Sequence, residues 1–177
     1  TVVIDPWTQT PSLPASNGVW EVEKDAAGNV YIIGGDTPMK LLKYNAAGTL
    51  QWTYNTPWDT AGYWLGTFAT DNNGNSYVTA GSIAELQKVN NAGAVQYTAT
   101  SGAFSSNEYW HIAFNCDQTR LIIGGTSASA LLNLRGAIFD INTATGAIIS
   151  QKVVGYGNAF GFPTDIQEVR AITSSYN

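Results

Sequence analysis

The sequence predicts an all-β protein, a β-propeller built from four-stranded antiparallel blades. Three observations predict this fold. A hairpin motif recurs 46 residues apart, as Asp25-Ala-Ala-Gly-Asn29 and Asp71-Asn-Asn-Gly-Asn75. Each copy runs into a short apolar strand that ends in glycine, at Gly35 and at Gly81. No segment shows convincing helical periodicity, and four short strands in a repeat of roughly 45 residues is the spacing of a propeller blade.

The second half of the repeat supports the same period. The segment from Lys43 to Tyr54, with Asn-Ala-Ala-Gly in its turn, matches Lys88 to Ala99 at an offset of 45 residues. A looser third copy covers 115–125 and 139–149, with one extra residue in the second of its turns. Strand-like runs separated by Gly- and Asn-bearing turns predict hairpins. The extra length of the third copy, around 126–135, is predicted to be a loop.

These repeats divide the chain into whole and partial blades. We predict one blade over 20–55, a second over 66–100 and a third over 110–154. Residues 1–7 resemble an outer strand of a preceding blade, and residues 167–177 resemble the first strand of a following one. Twelve strands are expected, at 20–24, 30–33, 40–44, 49–54, 67–70, 76–79, 85–89, 94–98, 111–114, 120–123, 137–141 and 147–153.

The end segments bear on the size of the ring. If both belonged to one blade, the ring would have about four blades, at the small end for propellers. A ring of six to eight blades needs roughly 270–360 residues at this period, so we expect the chain to be part of a longer propeller. The remaining blades would come from the same longer chain or from a partner chain. The chain shows no initiator Met and no signal peptide, which is expected of a mature product or a fragment.

Composition limits the classes of partner. The charged fraction is 12%, about half the usual share for a soluble domain, and uncharged polar residues replace it. This surface chemistry favours a secreted or cell-surface location outside the cytoplasm. The net charge is −5 and the eight basic residues form no cluster, so neither nucleic acid nor an anionic membrane surface is expected as a partner. No run is long and apolar enough for membrane insertion.

The repeat is similar to a known family. The pattern Asp-x-x-Gly-Asn-x-Tyr-Ile/Val-x-x-Gly resembles the bacterial repeats often called beta-propeller beads, and the half-repeat beginning at Tyr44 resembles the strand–turn–strand of quinoprotein-like propellers. The resemblance covers most of 20–154. It implies a propeller of a secreted or surface protein, Bacteroidota-like, and it brings no catalytic residues.

Several residues suggest chemistry that the sequence does not favour. The turns at Asp25 and Asp71 could be taken for calcium loops, but the second lacks a carboxylate at its twelfth position, where Ser82 stands. We therefore interpret them as hairpin turns and predict no metal and no cofactor. The single histidine, His111, has no Ser nucleophile motif, and the single cysteine, Cys116, has no metal-ligand spacing. Charged residues on or beside predicted inner strands could serve an enzyme if two carboxylates paired across the channel; these are Glu21, Glu23, Glu108, Glu168 and Arg170.

The aromatic links between blades are the strongest candidate for binding. Links from an outer strand to the next inner strand lie at the propeller end that usually binds ligands, and exposed Trp and Tyr there suit sugar stacking or a protein hot spot. The alternative is that these rings fill the seams between blades. Trp20 and Trp110 share one register, which favours that structural role for them. The candidate binding residues are Trp58, Tyr63, Trp64, Tyr109, Trp110 and Glu108.

The sequence therefore favours a non-catalytic binding or scaffolding module outside the cytoplasm, which engages a protein or glycan through the aromatic links. Two alternatives stay open. One is an enzyme, either glycan-active or quinoprotein-like. The other is a structural component of a surface or secretion-associated assembly, in which a partner chain covers the open blade edges.

Overall fold

The computed structural model describes residues 10–11, 13, 18–35, 38–58, 66–100, 107–128, 134–154 and 168–173. Within these ranges the secondary structure is all β. The strands are β1 (Val19–Lys24), β2 (Val30–Gly34), β3 (Lys40–Tyr44), β4 (Leu50–Asn55), β5 (Phe68–Thr70), β6 (Ser76–Thr79), β7 (Glu85–Val89), β8 (Val95–Thr100), β9 (Glu108–Phe114), β10 (Arg120–Ala128), β11 (Leu134–Asn142) and β12 (Ile148–Val153). None of the described residues forms a helix suited to spanning a membrane.

The strands form three sheets, each made of four consecutive antiparallel strands in sequence order. We call β1–β4 blade 1, β5–β8 blade 2 and β9–β12 blade 3. The repeated turn explains the first hairpin of each of the first two blades. One Asp25 carboxylate oxygen accepts the N–H groups of Ala27 and Asn29, both at 2.9 Å, and Gly28 takes a φ of 81°. Aspartate thus closes the turn, and glycine supplies the left-handed residue that it requires.

Blade 3 departs from the repeat in two places. Its first turn is one residue longer than that of blade 1, because the Asn115 N–H reaches the carbonyl oxygen of Arg120 at 3.1 Å, five residues on. The predicted loop over 126–135 is wrong at both of its ends, since β10 and β11 continue in register through the pair Ser127 and Arg135. Continued pairing satisfies backbone groups that a loop would leave to other partners. Strand β9 also starts at Glu108, three residues before the predicted start.

The blades pack face to face through apolar residues. At the first seam, buried side chains of β2 and β3 meet Phe68 and Val78 of blade 2. At the second seam, Tyr77 and Leu86 of blade 2 meet an apolar face of blade 3. The blade 3 face comprises Tyr109, Ile112, Leu121, Ile123, Ala137, Phe139 and Ile141. Middle strands are covered on both sides, which is why their sequences do not alternate cleanly between apolar and polar residues.

A polar contact, which we call the seam latch, joins blade 1 to blade 2. The Tyr31 hydroxyl donates to Asp25 Oδ2 at 3.0 Å, and its oxygen lies 3.2 Å from the carbonyl oxygen of Gly74 in the first turn of blade 2. Lys43 Nζ donates to the carbonyl oxygen of Asn91 at 3.2 Å and also contacts the side-chain oxygen of Asn91. The latch therefore connects the second and third strands of one blade to two turns of the next.

The same latch recurs one seam later. The Tyr77 hydroxyl donates to Asp71 Oδ2 at 3.3 Å, and Lys88 Nζ donates to the carbonyl oxygen of Thr143 at 3.1 Å. The Tyr97 hydroxyl donates to that same carbonyl oxygen at 3.2 Å. Burial raises the pKa of Tyr97 to about 12, so this phenol remains a donor at neutral pH. Repetition of the latch gives the two seams the same geometry.

The described part of the last segment, residues 168–173, lies against blade 3 outside any sheet. The Val169 N–H donates to the carbonyl oxygen of Gly125 at 3.1 Å, and the Ile172 N–H reaches His111 Nδ1 at 3.4 Å. The first strand of a next blade over 167–177 stays a prediction. The outer strand predicted at 1–7 lies outside the described residues.

Candidate functional site

Trp58 is a sequence-predicted binding residue that the structure leaves partly buried. It follows β4 closely, and its side chain packs on the apolar cluster of the first seam, which includes Ile33 and Phe68. The indole N–H is shielded from solvent and meets no acceptor among the described residues. Leaving such a donor unpaired costs about 1–3 kcal/mol. Tyr63 and Trp64 lie outside the described residues, so their part in binding stays a prediction.

Tyr109 and Trp110 point into the protein. Tyr109 is 1% exposed. Its ring packs edge to face against the ring of Phe139, with the two ring centroids 4.9 Å apart. Trp110 is 6% exposed. The Arg170 guanidinium lies 3.6 Å from the centroid of the Trp110 ring and covers it. A ligand could stack on either ring only by displacing a protein group that already occupies it.

Glu108 holds Trp110 in place. Its carboxylate accepts the Trp110 indole N–H at 3.1 Å, and Thr126 Oγ1 lies 3.4 Å from the same nitrogen. Arg170, on the other side of the ring, forms an ion pair with Glu168. Glu108, Trp110, Glu168 and Arg170 thus form one group of contacting side chains, and this group joins the last segment to blade 3.

The shared register of Trp20 and Trp110 is real, but its consequence differs between the two. Both residues lie at a β-bulge, where the pairing register shifts between the first and second strands of the blade. Bulges redirect a side chain out of the regular pleat. Trp110 is buried, whereas Trp20 is 54% exposed, and the seam role of both residues stays a prediction. Arg170 contributes to the burial of Trp110, because its guanidinium lies over that ring.

The two carboxylates on the inner strand of blade 1, Glu21 and Glu23, make different contacts. Both Glu21 oxygens accept the Thr67 hydroxyl at 2.8 Å, and one accepts the Phe68 N–H at 3.1 Å, so Glu21 joins β1 to β5. Glu23 makes no such bond across the seam. Burial, and then the Glu21 charge, raise the pKa of Glu23 above its usual range, while a backbone hydrogen bond at Lys24 opposes them. Glu21 and Glu23 lie on the same strand, β1. Glu168 forms an ion pair with Arg170.

The inner strands end around a cavity of about 420 Å³, which we call the hairpin-end cavity. It opens where the inner strands pass into the first turns, at the opposite end from the aromatic links. All three inner strands and the last segment contribute to it. The lining residues are Glu23, Lys24, Ala69, Thr70, Asn72, Ile112, Ala113, Phe114, Asn115, Cys116, Gln118, Ile172 and Thr173.

Sequence reasoning did not find this cavity, because it forms from ends of strands that are far apart in the chain. One local signal was available. The first turn of blade 3 lacks the glycine of the other two, and Gln118 takes a φ of 57° there. Among described residues it alone, apart from glycines, has a positive φ. Such a conformation costs about 1–2 kcal/mol for a residue with a side chain.

The blade architecture is shared with solved structures. A protein of unknown function from Bacteroides caccae is similar with a TM-score of 0.57 and 13% identity, over 80% of this chain and 48% of that chain. The fold is that of a β-propeller. Apo AztD from Citrobacter koseri gives a TM-score of 0.55 and 14% identity, over 86% of this chain and 38% of that one.

An enzyme shares the fold as well. The quinohemoprotein alcohol dehydrogenase ADHIIG from Pseudomonas putida HK5 gives a TM-score of 0.54 and 15% identity, over 83% of this chain and 21% of that one. At this identity the likeness shows the propeller fold alone. The chain spans less than half the length of each of these three proteins. No family model matches the sequence, and no curated protein matches it.

Proposed function

We propose that this chain is a non-catalytic binding and scaffolding module of a β-propeller that works outside the cytoplasm. It engages a protein or a glycan through the aromatic link that follows blade 1. The observation that carries the proposal is the environment of Trp58, a partly buried side chain that packs on the apolar cluster of the first seam. Of the aromatic candidates, we assign the contact surface to Trp58, Tyr63 and Trp64, because Tyr109 and Trp110 are buried.

The physical argument rests on how Trp58 is held. An aromatic side chain that is already packed on one side loses little conformational entropy when a partner covers its other side. Large rings of this kind are the residues that most often dominate binding energy at interfaces.

The extracytoplasmic location follows from surface chemistry. Only 12% of the residues are charged, while Ser, Thr, Asn and Gly provide the polarity. Remaining blades of the ring, from the same longer chain or from a partner chain, complete the module. Cofactor-dependent chemistry forms no part of this proposal.

A second candidate, a structural component of a surface assembly, has its own supporting observation. On the face of blade 1 that points away from blade 2, Ile32, Leu42 and Tyr44 are buried and Leu13 packs on them. Val22, which pairs with Ile32, is 58% exposed. The outer part of this face is therefore covered while its inner part is open, as expected of a surface that receives the inner strand of another blade.

We expect Trp58→Ala to weaken partner capture at least about tenfold, the effect of losing a hot-spot residue worth roughly 1.4 kcal/mol or more. The immobilised protein and its variants are tested against an array of neutral and acidic glycans and against an extracellular protein fraction. Circular dichroism checks that each variant is folded. A second variant, Tyr63→Ala combined with Trp64→Ala, tests the rest of the link.

Trp20→Ala is the matched control, since it removes an exposed indole from the same blade but outside the link. Capture that survives Trp58→Ala and the double variant contradicts the link as the binding surface. Capture that is lost only with Trp20→Ala supports the structural candidate in its place.

A further inference from the structure

The hairpin-end cavity is a second possible binding site, separate from the aromatic link. Its volume of about 420 Å³ lies within the range of roughly 300–1,000 Å³ typical of small-molecule sites. It is formed by the three inner strands and the last segment, so its walls belong to different blades. The seam latches and the Glu21 contact hold blades 1 to 3 together, which makes most of the cavity preformed.

Polar groups in its lining have hydrogen-bonding capacity left over. Gln118 Oε1 accepts the Asn72 backbone N–H at 2.8 Å, which fixes the Gln118 carboxamide between two blades. This bond leaves both hydrogens of the Gln118 side-chain nitrogen for another acceptor. The Asn72 side chain contributes a further amide, and Glu23 contributes a carboxylate.

The strained backbone of Gln118 strengthens this interpretation. A positive φ at a residue other than glycine costs free energy, and such outliers concentrate at ligand-binding positions. Here the strained residue is the one whose side chain crosses between blades at the cavity. A glycine would relax the backbone but would remove the carboxamide.

Charge decides which ligands fit. Glu23 lines the cavity with Glu21 close behind it, and Lys24 is the one basic residue in the lining. An anion would face the Glu23 carboxylate without the paired guanidinium groups that usually bind phosphate or carboxylate. The remaining polar lining is neutral, and Ile112 and Phe114 add an apolar wall.

We propose that the hairpin-end cavity binds a neutral saccharide unit. Hydroxyl groups both donate and accept, so they suit a lining that mixes a carboxylate acceptor with amide donors and acceptors. The apolar ring face of a sugar suits Ile112 and Phe114. This site lies at the opposite end of the propeller from Trp58, so it can be tested independently of the function proposed above.

The single cysteine provides the test. Cys116 is exposed and lines the cavity, so a bound ligand should shield its thiol. The rate of Cys116 alkylation by iodoacetamide is measured by mass spectrometry while glucose, galactose, mannose, N-acetylglucosamine or their disaccharides are titrated. We expect at least one probe to slow alkylation along a saturable curve, by about tenfold at saturation. Equal rates with every probe would overturn the proposal, as would protection by inorganic phosphate but by no sugar.

Two variants test whether residues that line the cavity are responsible for the protection of Cys116. Glu23→Gln and Gln118→Gly should each raise the sugar concentration needed for half-protection by about tenfold, the effect of roughly 1.4 kcal/mol of lost interaction. Gln118→Gly should fold well because it also relieves the positive φ. Gln51→Ala, which removes an exposed amide on β4, is the control and should leave protection unchanged. Protection that is unaffected by both lining variants, or equally affected by the control, contradicts the assignment.

Trp58→Ala should not alter the protection of Cys116. Capture that survives Trp58→Ala, together with intact protection of Cys116, then counts against the link alone. Capture that is lost with Trp58→Ala, in a protein whose Cys116 no sugar protects, counts against the cavity alone.

Discussion

Replacing Asp25 by alanine is expected to lower the free energy of unfolding by about 2–4 kcal/mol, because it removes a buried carboxylate that accepts several hydrogen bonds. Asp25 binds the N–H groups of Ala27 and Asn29, the Asn29 side chain at 2.6 Å and the Tyr31 hydroxyl at 3.0 Å. The first three bonds close the turn and the last belongs to the seam latch. One substitution therefore weakens both a hairpin and the contact between two blades. Urea unfolding, followed by tryptophan fluorescence, measures the loss.

The matched control is Asp117→Ala, in the first turn of blade 3. Asp117 is exposed, and its carboxylate accepts the backbone N–H and the hydroxyl of Thr119 within its own turn. We expect a markedly smaller loss of stability than for Asp25→Ala. Equal losses at the two positions would show that the latch adds nothing to what the turn alone provides.

The contribution of Asp25 should also depend on pH. Burial by itself would raise the pKa of Asp25, but the hydrogen bonds from Asn29, Tyr31 and Ala27 outweigh it, so the pKa lies below its ordinary value of 3.8. The unfolded chain therefore binds this proton at a higher pH than the folded chain does. The stabilisation is complete above that ordinary value and is lost as the pH falls through the folded pKa. The difference in stability between the wild type and Asp25→Ala should therefore shrink in acid, and a difference that grows instead would contradict this assignment.

The second large effect is expected for Gly74→Ala, which should cost about 2–4 kcal/mol, the sum of backbone strain and a steric clash. Gly74 has a φ of 81°, and a methyl group there would overlap the Tyr31 hydroxyl and the side chain of Asn91. Both groups belong to the contact between blade 1 and blade 2. Thermal unfolding of the variant should show a lower midpoint, and its hydrogen exchange should be faster along that seam.

Gly28→Ala separates the two causes, because Gly28 takes the same φ of 81° in the same turn of blade 1. A methyl group there meets only Ala46 Cβ, at 3.6 Å, which is an ordinary contact. We expect the strain cost alone, about 1–2 kcal/mol. If Gly28→Ala and Gly74→Ala cost the same, the close fit between the blades contributes nothing measurable.

Much of the fold was predictable because it is local. The motif Asp-x-x-Gly-Asn specifies its own turn, through the carboxylate of Asp25 and the left-handed Gly28, and the motif does so again at Asp71. Repetition then predicts blades, since one sheet cannot cover both of its faces. The prediction was wrong where blade 3 breaks the repeat, because strands β10 and β11 extend through a segment whose sequence contains no strong strand signal.

The candidate sites depended on tertiary structure to a greater degree. The register of Trp20 and Trp110 was readable, but exposure depends on what lies above each ring, and Arg170 covers only one of them. The sequence by itself determined the blades, their turns and their order, because each hairpin is encoded by neighbouring residues and the hairpins repeat along the chain. Only the tertiary structure decided which aromatic rings are buried, which turns of one blade form the seam latch with another, and where the hairpin-end cavity opens. These features arise from contacts between residues 40 or more positions apart.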